Sequence, residues 1–476
     1  MKFDVVIGLE VHAQVNTKTK IFCGCSTEFG ADANTQTCPV CLGLPGVLPV
    51  LNEKVLEKSV LAGLAMNCDI NRYSKFDRKN YFYPDLPKAY QISQFDKPIC
   101  IGGYIRVGNG ENEKKIRLNR IHMEEDAGKS IHSDDPAVAK SFVDFNRTGV
   151  PLMEIVSEPD MSSASEVYEY LTNLKQTLKY INVSDCNMEE GSLRCDVNIS
   201  LKPEGSEKLG DKVEIKNMNS FKAVKAAIEY EISRQTEMLE DGEKIVQETR
   251  LWNPDKNRTY SMRSKEEAHD YRYFPDPDLP PVICSEEYIS NLRNSLPELP
   301  EAKKNRFTAE YGLSDYDAGV LTSVRQLAGY FEEVIKLGIN PKKCSNWITS
   351  ELLGKIEDAE KIDSFSVRPA SLAKLLKLID DDTISGKIAK TVFAEMIETS
   401  QEADDIVEKK GLRQVTDTAE IEKIIDDIIA ANPQPAEDFK NGNDKAIGFL
   451  VGQAMKLSQG KANPQIVNRI ITDKLR

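Results

Sequence analysis

Two spacings in this chain bring reactive groups within reach of one another. Cys23 and Cys25 are followed, after twelve residues, by Cys38 and Cys41, the latter pair inside Cys-Pro-Val-Cys-Leu-Gly. Two close cysteine pairs flanking a short loop can place four thiolates tetrahedrally, and the turn between Cys38 and Gly43 frees backbone amides to bond the sulfurs. Four sulfur ligands leave no open coordination position, so the expectation is a structural zinc loop over 23–41 rather than a catalytic ion. Glu10 and His12 form the second spacing. On a strand, residues two apart share a face with origins roughly 6 to 7 Å apart. A carboxylate and an imidazole so placed can converge on one ion or phosphate; the plainer alternative is a strand face that only meets water.

Three further stretches carry charge in patterns that could do chemistry. Glu124, Glu125 and Asp126 stand in a row; adjacent carboxylates repel unless a cation or water relieves them, so they read either as a divalent-metal site or as a solvated acidic turn. On a strand at most two of the three can share a face without a bulge. Arg78 to Gln94 packs Tyr81, Phe82, Tyr83 and Tyr90 among Arg78, Lys79 and Lys88. Such a loop could hold a nucleotide, rings on the base and lysines on phosphates, or its rings could simply cover a sheet. Ala127 to Ser130 resembles the end of a phosphate-binding loop, but Met123 stands where the first glycine is required, so that motif is absent.

The elements that must position these groups are strands of period two. From Val5 to Val15 every odd position is apolar, while Gly8, Glu10, His12 and Gln14 face the other way. Ser192 to Leu201 repeats the design, setting Arg194 and Asp196 opposite Cys195 and Val197, and Val213 with Ile215 alternates against Glu214 with Lys216. Glu154 lies on a short strand after the turn at Arg147-Thr148-Gly149. Ser163 with Glu166 reads as a capping box for a helix over 164–180, and Ser220 caps another running to Leu239. Together these predict an antiparallel sheet with helices behind it and a polar face of Glu10, His12, Arg194, Asp196, Glu214 and Lys216. Opposite charges recurring at face-matched positions suit metal-assisted phosphoryl transfer, where protein groups position oxyanions and neutralise charge.

Length and composition bound the rest. The 476 residues predict two to four domains, and 40% hydrophobic with 29% charged residues is an ordinary globular composition. A formal charge of −14 argues against nucleic acid over the whole surface, although not against a local basic site. Ten cysteines without a leader argue for metal or burial rather than a disulfide framework, and no apolar run approaches a membrane span, so a cytoplasmic protein is expected. The turn-rich segment Pro275 to Pro281 ends the first domain, and from about Ser290 the pattern turns helical. The last segment, from Asn441, sets Lys445, Lys456, Lys461, Arg469, Lys474 and Arg476 against Asp444 and Asp473. That end suits a phosphate backbone, or is a solvated pair of helices.

Several blocks, in order along nearly the whole chain, resemble the B subunit of the heterotrimeric tRNA-dependent amidotransferase: VIGLEVHAQ, LPGVLPVLN, KNYFYPDLPKAYQISQ, RIHMEEDAGKS, GSLRCDVNIS, EIKNMNSF and DYRYFPDPDLP. The resemblance implies an α+β chain: an antiparallel-sheet cradle domain with flanking helices and a small zinc-binding loop (1–292), an all-α helical domain (293–407) and a small helical tail domain that recognises tRNA (408–476). It implies ATP-dependent amidation of mischarged Glu-tRNA(Gln), Asp-tRNA(Asn) or both, by phosphorylation of the side-chain carboxylate. An amidase A subunit would supply ammonia and a small C subunit would brace the two. This division fits the lack of an amidase Ser/Lys or a Cys/His glutaminase pattern in the sequence.

Carried onto matching positions, the resemblance implies Glu10, His12 and Glu125 as Mg²⁺ ligands, with Glu124 a further addition. Asp196 and Glu154 become supporting groups or part of an ammonia path. Lys79, Lys88, Arg194 and Lys216 are the phosphate candidates, and Tyr81 or Tyr83 the ring on adenine. Two competing readings are a stand-alone ATP-dependent carboxylate-amine ligase, which needs no basic tail, and a zinc-containing RNA-binding protein without catalysis.

Overall fold

The computed structural model describes residues 2–108, 110–132, 140–264, 271–414, 418–441, 443, 445–458 and 462–475. Two compact units emerge, Met1–Leu299 and Pro300–Arg476. The first is built on the strand that the alternation announced. Phe3–Gln14 lies in the middle of a ten-stranded sheet, paired antiparallel to Pro151–Ser157 on one side and Leu193–Pro203 on the other. Outward from Leu193–Pro203 come Val213–Lys216, Glu248–Asn253 and Arg258–Ser264; outward from Pro151–Ser157 comes the twelve-residue strand Lys114–Glu125, followed by shorter pieces.

One pair departs from the expected all-antiparallel arrangement. Val213–Lys216 and Glu248–Asn253 run parallel. The helix Phe221–Glu240 lies between them in sequence, as a parallel connection requires.

Ile7, Leu9, Val11 and Ala13 are buried, in one hydrophobic core with Val167, Leu171 and Leu174 of the helix Ala164–Tyr180 and with Val224 and Ile228 of Phe221–Glu240. Each of the Val, Leu and Ile side chains contributes roughly 1.5 to 3 kcal/mol of burial. Both helices begin where the sequence signals stood: Ser163 accepts from the Glu166 amide and Ser220 from the Ala223 amide. A three-stranded sheet sets Asp77–Asn80 between Arg272–Pro275 and Tyr90–Ser93.

The second unit is helical and holds two separate hydrophobic cores, one around Phe331, Leu375 and Phe393, the other around Ile425, Leu450 and Ile471. Of the basic residues expected near the C-terminus, Lys461 and Arg476 lie outside the described residues, as does Asp444. Among the described residues no helix is long and apolar enough to cross a membrane.

Candidate functional site

Register decides which polar side chains meet. His12 lies directly opposite Glu154, and Glu154 directly opposite His122 on the next strand, so three adjacent strands deliver imidazole, carboxylate and imidazole in line. His12 Nε2 is 3.3 Å from Glu154 and 3.8 Å from Glu124. His122 Nε2 stands 3.4 Å from Glu154 and 3.6 Å from Glu124. His12, Glu124 and Glu154 could hold a metal ion between them. Burial alone would lower the pKa of His12, but the hydrogen bond with Glu154 and the charges of Glu124 and Glu154 outweigh it and raise it. Burial likewise pushes Glu154 up, and the charge of His122, the hydrogen bond with His12 and the charge of Lys79 turn the balance well below the usual carboxylate range.

A second cluster stands beside the first on the same face, because Glu10 is two residues before His12. Glu10 pairs in register with Asp196, and Asn198 with Glu214. The three acids Glu10, Asp196 and Glu214 could also hold a cation. Lys216 already sits among them, its ammonium 2.7 Å from Asp196 and 3.3 Å from Glu214. Asn198 donates to Glu10 at 2.9 Å and Thr249 to Glu214 at 2.7 Å.

The acid row divides as alternation requires. It ends the long strand rather than forming a turn, so neighbouring residues leave opposite faces. Glu124 joins His12, accepting a hydrogen bond from Ser93 at 3.2 Å. Asp126 accepts from Gln14 at 3.0 Å and from Arg194 at 2.8 Å, and burial, which would raise its pKa, yields to Arg194 and Arg147, which lower it.

Glu125 turns the other way. It takes the ammonium of Lys88 and the amide of Ile92 (2.8 Å), facing a cavity of about 160 Å³ lined by Cys41, Gly43, Lys88 and Tyr90 among others. Of the three expected Mg²⁺ ligands, Glu10 and His12 thus lie in neighbouring clusters and Glu125 faces away from both, while Glu124 stands beside His12.

The phosphate candidates are also redistributed. Lys88, Arg194 and Lys216 are each held by a carboxylate, Glu125, Asp126 and Asp196 respectively. Lys79 differs: it makes no ion pair among the described residues, and its ammonium sits 4.7 Å over the Tyr271 ring and 5.7 Å from that of Tyr81. Burial would lower its pKa, but Glu124, Tyr273 and Glu154 raise it, so it stays charged. Tyr83 is half exposed.

The four cysteines converge. Cys23, Cys25, Cys38 and Cys41 bring their sulfurs within 4.8 Å of one another, a donor set of the type and number that fits zinc. The Cys38 amide points at the Cys41 sulfur at 3.2 Å, and the fully buried Lys20 ammonium lies 3.7 Å from it. The hydrogen bond from Cys23, followed by the Cys38 amide and Lys20, outweighs burial and pulls the Cys41 thiol down to about 4. Gly43 closes the short helix Pro39–Leu42 at φ 68°, and a Cβ there would lie 2.2 Å from Lys88. Both conditions require glycine.

Sequence reasoning missed His122 and Lys20. For His122 a signal was present: carrying the alternation back through Arg120-Ile121-His122-Met123 places Arg120, His122 and Glu124 on one face. Lys20 had none, because an isolated lysine in a loop does not announce burial.

Comparison with known proteins follows the same division of the chain. Residues 5–290 match the family profile described as the GatB/GatE catalytic domain, and residues 329–475 match one described as the GatB domain. A curated relative from Carboxydothermus hydrogenoformans is 56% identical over 476 residues, covering 100% of this chain and 99% of its own length. One from Geotalea uraniireducens is 57% identical and covers 100% of both. Each is named as the B subunit of an aspartyl/glutamyl-tRNA(Asn/Gln) amidotransferase.

Proposed function

This chain belongs to the family of amidotransferase B subunits that carry the GatB/GatE catalytic domain, and we propose that it performs the ATP-dependent half of a tRNA-dependent transamidation. The substrate is Glu-tRNA(Gln), Asp-tRNA(Asn) or both. A free carboxylate resists ammonia because its charge is delocalised and its leaving group poor. Its oxygen attacks the terminal phosphorus of ATP, ADP departs, and an acyl phosphate forms; ammonia then attacks the carbonyl carbon, phosphate leaves, and a proton is given up.

The observation that carries this reading is the pair of adjoining clusters on one sheet face. Their oxygen-rich, imidazole-containing donor sets fit a hard divalent cation. His12, Glu124 and Glu154 would hold one Mg²⁺, and Glu10, Asp196 and Glu214 are a second group able to do so. Bound there, Mg²⁺ neutralises phosphate oxygens. Lys79, charged and without an ion pair among the described residues, is the residue best suited to a phosphate or to the acyl phosphate. His12 would bind that ion as a neutral imidazole, and the departing phosphate would take the proton that ammonia loses. The cysteine loop would hold zinc as a brace beside the sheet, with no part in the chemistry.

Ammonia would come from an amidase partner, with a small third subunit completing the assembly in the cytoplasm. The domain division at 292 and 407 remains part of this proposal, with the basic tail on tRNA. A stand-alone ligase or a non-catalytic RNA-binding protein gains no support from the family match.

The test is reconstitution with the amidase and small subunits, mischarged tRNA, glutamine, ATP and Mg²⁺, following amidated tRNA and ADP. His12→Ala is expected to lower amidation by at least about 100-fold while glutamine hydrolysis by the partner stays detectable. Retained amidation refutes the assignment. Native mass spectrometry is expected to show one zinc per chain, lost in Cys41→Ser; a metal-free wild type would remove the brace.

A further inference from the structure

A row of aromatic rings borders the His12 cluster and has no part in the chemistry derived above. In the three-stranded sheet Tyr273 lies opposite Lys79, and alternation puts Tyr81 and Tyr271 on that same side. Ser93, also on that side, donates to Glu124, which fixes the row against the carboxylates. Phe95 stacks on Tyr273 with centroids 4.2 Å apart and planes 15° apart, and Tyr81 meets Tyr271 edge-on at 5.4 Å. Phe95 is 58% exposed and Tyr271 49%. Exposed rings beside a lysine that no carboxylate among the described residues holds are what an unpaired nucleobase stacks on.

We infer that this row holds the unpaired 3′-terminal bases of the aminoacyl-tRNA, and so places the reacting carboxylate at the His12 cluster. The inference rests on the transamidation reading. In that substrate a few bonds, on the order of 6 to 8 Å when extended, separate the side-chain carboxylate from the terminal ribose. The base on that ribose therefore lands on whatever surface borders the carboxylate site, and that surface is rings. Adenine of ATP offers the same stacking chemistry. Two ring pairs, Phe95 with Tyr273 and Tyr81 with Tyr271, suit successive bases of a strand better than one adenine, and the exposure of Phe95 and Tyr271 suits a macromolecule arriving from solvent.

The reconstituted heterotrimer carrying Phe95→Leu or Tyr271→Leu separates the sources, with KM measured separately for aminoacyl-tRNA and for ATP. Each variant is expected to raise KM for the tRNA about tenfold and leave that for ATP unchanged. Phe95→Tyr, which keeps a ring, is expected to restore the wild-type value, an outcome that a purely structural role would not give. An unchanged KM for tRNA, or a rise confined to ATP, overturns the inference. A wild-type heterotrimer that amidates no tRNA at all overturns instead the reading beneath it.

Discussion

The two acid clusters on the polar face are neighbours of similar size, yet they are neutralised by different means. In the cluster of Glu10, Asp196 and Glu214, the last two share an ammonium that stays charged at any physiological pH: burial would lower the pKa of Lys216, but Asp196 and Glu214 raise it. Glu124 and Glu154 face two imidazoles instead, and the charge of His12 depends on pH. Exposure differs as well. The side chains of Glu124 and Glu154 are 3% and 11% exposed, against 19% and 21% for Asp196 and Glu214. The Lys216 cluster is a fixed charge pattern with a permanent counterion; the imidazole cluster gains or loses its counterions with the proton concentration and with any cation that displaces them.

The comparison breaks most visibly if Glu154 is removed. Glu154→Gln takes from His12 the carboxylate nearer to it, leaving Glu124 at 3.8 Å, and is expected to cost about 2 kcal/mol near pH 5.5, less than breaking a fully buried pair. Urea denaturation measures it. A loss no greater than for an exposed acid would mean that the cluster is wetter than its geometry indicates.

Next in size is the pH profile. The raised pKa of His12 gives stability that is full below its unfolded value of about 6.5 and is lost as pH rises through the folded value. The depressed pKa of Glu154 gives stability present above about 4.5 and lost as pH falls through its folded value. The pair thus stabilises most between about pH 4.5 and 6.5. Thermal melts across pH 4 to 9 are expected to show this contribution fading on the alkaline side, and Glu154→Gln to flatten it. Stabilisation by added Mg²⁺ should run oppositely, growing with pH as His12 loses its proton.

The smallest effect concerns the other cluster. Lys216 is 38% exposed, so screening limits the cost of Lys216→Ala to about 1 kcal/mol. Without the ammonium, three carboxylates repel, and Mg²⁺ is expected to recover a larger share of Tm in this variant than in wild type. Equal Mg²⁺ responses would show that Lys216 is not what neutralises the group.

How much of this was legible in the sequence follows from period and pairing. Alternation along Phe3–Gln14 and Leu193–Pro203 revealed the sheet, its buried face and the polar identity of Glu10, His12 and Asp196, because a period of two is a local property. Cap residues at 163 and 220 located both helices for the same reason. Partnership is not local. That His12 meets Glu154 and His122 depends on which strands are adjacent and in what register, which no single stretch encodes. Alternation divided the acid row between two faces, but which member would stand beside His12 depends on where the strand Lys114–Glu125 lies in the sheet, and that too is not local.

The central position of the first strand has a cost in time. Leu9 pairs with Val197, so the strand Phe3–Gln14 waits for that partner while most of the first unit is made. At about 5 to 20 residues per second, roughly 10 to 40 s pass before the sheet can close around it. Throughout that wait Ile7, Leu9 and Val11 present an apolar, unpaired β-edge to solvent, and the nascent chain is most vulnerable to aggregation and most dependent on chaperones then.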